Sequence, residues 1–84
     1  MFKARYIMHH SGKHYQIVNE YINEFGDRNM VLADYGRDGM ICQYLVITGW
    51  DRFSKTWQHC NYFPMAIGDA YRKAMAYFVT LIDF

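Results

Sequence analysis

The chain has 84 residues, with Lys+Arg 9 against Asp+Glu 8, a formal charge of +1 and a hydrophobic content of 52%. That balance excludes an intrinsically disordered chain, and the single Pro excludes a collagen-like repeat. Neither sign of charge dominates, which excludes both a strongly acidic nucleic-acid mimic and a basic tail held to nucleic acid by charge alone.

There is room for one domain, 1–84, and a domain of this size buries only about 60% to 65% of the surface its unfolded chain exposes. Its start, Met1 to Met8, runs straight into His9-His10 and is too short an apolar stretch for a signal peptide. The longest nearly apolar run, 74–82, falls well short of a membrane span. The expectation is a soluble cytoplasmic protein, in the host cytoplasm if a phage encodes it.

Phe2, Ala4, Tyr6 and Met8 alternate with Lys3, Arg5 and Ile7, as a strand does with one face on a core and the other partly wet. Ser11-Gly12 offers a cap, and Tyr15, Val18, Tyr21, Ile22 and Phe25 fall at helical spacing before Gly26, so the spacing predicts a helix over 13–25. Residues 29–35 and 40–48 are rich in Met, Val, Leu, Ile and Tyr. Between them Gly36-Arg37-Asp38-Gly39 supplies positions tolerant of positive φ, which predicts a β-hairpin. After Gly49 and the connection Trp50-Asp51-Arg52-Phe53-Ser54, residues 55–63 alternate as another strand. Pro64 suits the first turn of a helix, where its missing N–H costs nothing. Ile67, Ala70, Tyr71, Ala74, Phe78, Leu81 and Ile82 then keep one apolar helical face over 65–82. The reading is an α+β domain of order β-α-β-β-β-α, an antiparallel-rich sheet with two helices packed on one face.

The chemistry-bearing residues do not assemble into a known motif. His9, His10 and His14 lie close together, and His59-Cys60 completes a metal site only if the first strand and the last are neighbours. His10 and His14 straddle a predicted helix start and would not share a helical face, so no metal or cofactor is expected. Cys42 and Cys60 lack CxxC spacing and read as free, small, buried thiols, with pairing across neighbouring strands left open. His59 and Cys60 are adjacent on a strand and point to opposite faces, which is no catalytic dyad. Glu20 and Glu24 fall on the polar face of the predicted first helix, and Gly36 and Gly39 flank a hairpin and not a phosphate loop. No catalytic residue is assigned, and an enzyme is not expected.

Aromatic content is 19%, more than so small a core can hold. Periodicity sends Phe2, Tyr6, Tyr15, Tyr21, Phe25, Tyr71 and Phe78 to the core. Trp50, Phe53, Trp57 and Tyr62 instead surround Asp51, Arg52 and Lys55, and Trp, Tyr and Arg are the residues that most often carry interface energy. Trp50, Arg52, Phe53, Lys55 and Trp57 are therefore the candidate partner-binding set, with at least two of Trp50, Arg52, Phe53 and Trp57 expected at the surface. The alternative is that both indoles plug the end of the core.

Two functions follow. The first is a non-catalytic interaction protein that binds and inhibits or modulates a larger protein or nucleoprotein. A tiny, near-neutral, Met- and Tyr-rich domain suits a phage or mobile-element accessory protein of the anti-CRISPR type. The second is nucleic-acid binding. From residue 13 onward the predicted order α-β-β-β-α resembles that of double-stranded-RNA-binding domains over most of the chain. The resemblance implies phosphate contacts from a Lys-Lys cluster at the start of the last helix. Here that helix begins Phe63-Pro64-Met65-Ala66-Ile67-Gly68-Asp69, followed by Arg72-Lys73. Lys55 and Trp57 would also suit stacking of single-stranded bases. A second copy of the chain is a further possible partner.

Overall fold

The computed structural model describes residues 6–10, 13–51, 53–54 and 56–82. Five strands, β1 (Tyr6–His10), β2 (Lys13–Ile22), β3 (Arg28–Tyr35), β4 (Ile41–Trp50) and β5 (His59–Pro64), form one antiparallel sheet in sequence order. A 3-10 turn (Met65–Ile67) then leads into the helix α1 (Ala70–Ile82). The α+β class and the antiparallel sheet agree with the sequence reading, whereas the second helix and the order do not.

The predicted helix over 13–25 is strand β2 as far as Ile22 and a turn beyond it, and a β-bulge helps explain the misleading period. Ile17 pairs with Leu32 and Asn19 with Val31, so Val18 is an extra residue on β2. Ile17 joins the core on one face of the sheet and Val18 packs against the other, as successive strand residues do, and the bulge shifts the phase of the residues that follow. Two adjacent apolar residues interrupt the strand alternation and imitate helical spacing. The composition itself favours a strand, since Tyr15, Ile17, Val18, Tyr21 and Ile22 are aromatic or β-branched. Beside them β3 carries Met30-Val31-Leu32-Ala33, all fully buried, which requires cover on both faces and a neighbour on each side.

The hairpin forms as expected, with β3 and β4 joined by a turn in which Gly36 N–H donates to the Met40 carbonyl at 2.8 Å and Gly39 adopts φ +80°. α1 covers one face only. Its Ala70, Ala74 and Phe78 bury against Val31, Ala33, Tyr44 and Val46, and the small alanines on both sides let helix and sheet approach closely. Tyr71 stands edge-on to Tyr44 and Tyr77 tilts over Phe63. The apolar run 65–82 is broken at Gly68-Asp69, both at positive φ, so Pro64 ends β5 and opens the 3-10 turn.

The opposite face holds a second cluster of Tyr15, Ile17, Met30, Leu32, Leu45, Ile47 and Trp50, flanked by Trp57 and Cys60. No helix lies over it among the described elements. Tyr15 on β2 and Trp57 beyond β4 reach across the intervening strands and meet edge to face, centroids 6.5 Å apart. Of the aromatics assigned to the core, Tyr15 and Phe78 are there, while Tyr21, Phe25 and Tyr71 are exposed. The false helical period misplaced Tyr21 and Phe25. Phe2 and the side chain of Tyr6 lie outside the described residues.

Candidate functional site

At one end of the sheet the β2–β3 turn and the β4–β5 loop stand side by side and enclose a cleft of about 660 Å³. Ile22, Arg28, Trp50 and Phe53 are among its walls, with Gly26 and Gly49 also lining it. A second groove of about 520 Å³ runs along the other side of the same turn, between Tyr21, Phe25 and the C-terminal end of α1.

The two connections are built alike. In the first, the Asn23 side-chain oxygen accepts hydrogen bonds from the Phe25 and Asp27 backbone N–H groups, each at 2.9 Å. The Gly26 N–H donates to the Asn23 carbonyl at 3.0 Å, with Gly26 at φ +86°. In the second, Asp51 Oδ1 accepts from the Phe53 N–H at 2.8 Å, and the Asp51 N–H closes the loop on the Thr56 carbonyl at 2.9 Å. Ser54 and Thr56 share a hydroxyl hydrogen bond of 2.7 Å. Each is an Asx turn, in which a short polar side chain replaces a strand partner and fixes the residue two positions on. In each that residue is a phenylalanine aimed at water: Phe25 is 81% exposed and Phe53 83%.

Electrostatics support the second turn. The Phe53 N–H bonded to Asp51, with smaller help from Ser54, holds the Asp51 carboxyl below its ordinary range, against a partial opposing effect of burial. At the cleft wall Arg28 pairs with Glu20 across β2 and β3.

The partner-binding candidates divide. Phe53 is at the surface as expected. Trp50 is only 9% exposed and belongs to the core, and Trp57 is partly buried beside it, with ring centroids 6.0 Å apart. Arg52 and Lys55 lie outside the described residues. The burial of Trp50 follows from a second bulge. Met30 pairs with Ile47 but Arg28 pairs with Trp50, so β4 carries one residue more than β3 there, and Gly49 takes it up at φ +68°. The phase of β4 thereby shifts, and Trp50 takes the inward place that simple alternation would give to position 49. Sequence reasoning missed Phe25 and Ile22 by assigning them to a helix. The signal that could have found Phe25 is the turn pattern Asn-x-Phe-Gly-Asp, since Asn and Gly favour such turns.

The thiols are free, as the sequence suggested, but neither is fully buried. Cys42 is exposed, donating to the Asp34 carbonyl at 3.3 Å, and Cys60 is half-buried. Cys60 pairs with Ile47, five positions along β4 from Cys42, so an intrachain disulfide has no geometry in this register. Burial pushes the Cys60 thiol up, partly offset by a hydrogen bond with Tyr62. Asp34, buried at 2% exposure, accepts from the Gln43 amide at 2.9 Å. Among the described residues no three His, Cys, Asp or Glu gather as a metal site. His9 faces His14 across the β1–β2 pair, and β5 with His59 lies at the far edge of the sheet, so the neighbourhood that a histidine site required is absent. No helix of the described residues is long and apolar enough to cross a membrane. No protein-family model, curated protein or solved structure matches the chain.

Proposed function

We propose that this chain is a non-catalytic interaction protein that docks a larger protein through the end of the sheet where Phe25 and Phe53 stand. The observation that carries this reading is the pair of phenylalanines, each more than four-fifths exposed and each fixed by an Asx turn. A large apolar ring left in water gains nothing for the fold, and a backbone already held in its turn loses little freedom when a partner covers it. Phe25, Phe53 and Ile22 are the anchors, with Arg52 and Lys55 as charged company. Trp50 and Trp57 support the loop from beneath. A partner that is inhibited or modulated, and an origin in a phage or mobile element of the anti-CRISPR type, suit the small size and near-neutral charge.

The test is partner capture from host lysate beside thermal melting. Phe25→Ala and Phe53→Ala should each leave melting almost unchanged and weaken capture by about tenfold or more. Unchanged capture by the double variant contradicts the reading. The double-stranded-RNA-binding resemblance needed a helix at 13–25; that segment is strand β2 and the turn after it, so the resemblance does not extend to the fold.

A further inference from the structure

We draw no further inference here: the strongest candidate, the cleft between the β2–β3 turn and the β4–β5 loop with Asp27, Asp51 and Phe53 in its walls, belongs to the site already described, and nothing in the structure shows what fills it.

Discussion

Residues that look alike in the sequence take opposite roles at the docking end. Trp50 is core, so Trp50→Ala should cost about 3–5 kcal/mol, whereas Phe53→Ala, which removes a ring already in water, should stay within about 0.5 kcal/mol. Chemical denaturation of the two variants checks the contrast. Gly49 makes Trp50's position possible. It holds φ +68°, and a Cβ added there would lie 2.7 Å from the Gln58 side chain. Gly49→Ala should therefore destabilise by about 1–3 kcal/mol, chiefly through backbone strain, since the Gln58 side chain can move aside. Asp51 brings a pH dependence. Its carboxyl is held down by the Phe53 N–H, so the turn gains order above the ordinary carboxylate range and loses it as pH falls through the lowered value. The Phe53 amide resonance followed by NMR should shift over that acidic window, and an amide indifferent to acid would show that Asp51 does not hold the turn.

Strand β2 is where the element scale decides the fold. If 13–25 were a helix, Tyr21 and Phe25 would be core. In the sheet Ile17 is buried and Phe25 is not. Ile17→Ala should cost about 2–4 kcal/mol and Phe25→Ala almost nothing, and the reverse order in an unfolding series would restore the helix. The hairpin of β3 and β4, the terminal helix and the strand before it were legible because their alternation, turn glycines and helical stripe are local signals. β2 was not legible, since one bulged residue at Val18 changes the phase and its consequences depend on β3 alongside. The same kind of phase change at Gly49 hid the burial of Trp50. Within the site, Phe53 could be read from its loop, while Phe25 was concealed by the false helix and Ile22 went with it.

Over the whole molecule, the sheet has a helix on one face and an aromatic roof of Tyr15, Trp50 and Trp57 on the other, and each face keeps its own core. One end of the strands displays two exposed phenylalanines on turns held by side-chain hydrogen bonds, Phe53 in the wall of the cleft and Phe25 in that of the groove on the other side of the β2–β3 turn. The central claim is that this end, and not the tryptophans, meets the partner. It is tested most directly by capture from host lysate with the Phe25→Ala/Phe53→Ala double variant, with thermal melting measured on the same preparations. The account predicts an unchanged melting transition and loss of the proteins that the wild-type chain retains. A double variant that retains them, or a wild-type chain that captures none, would contradict it.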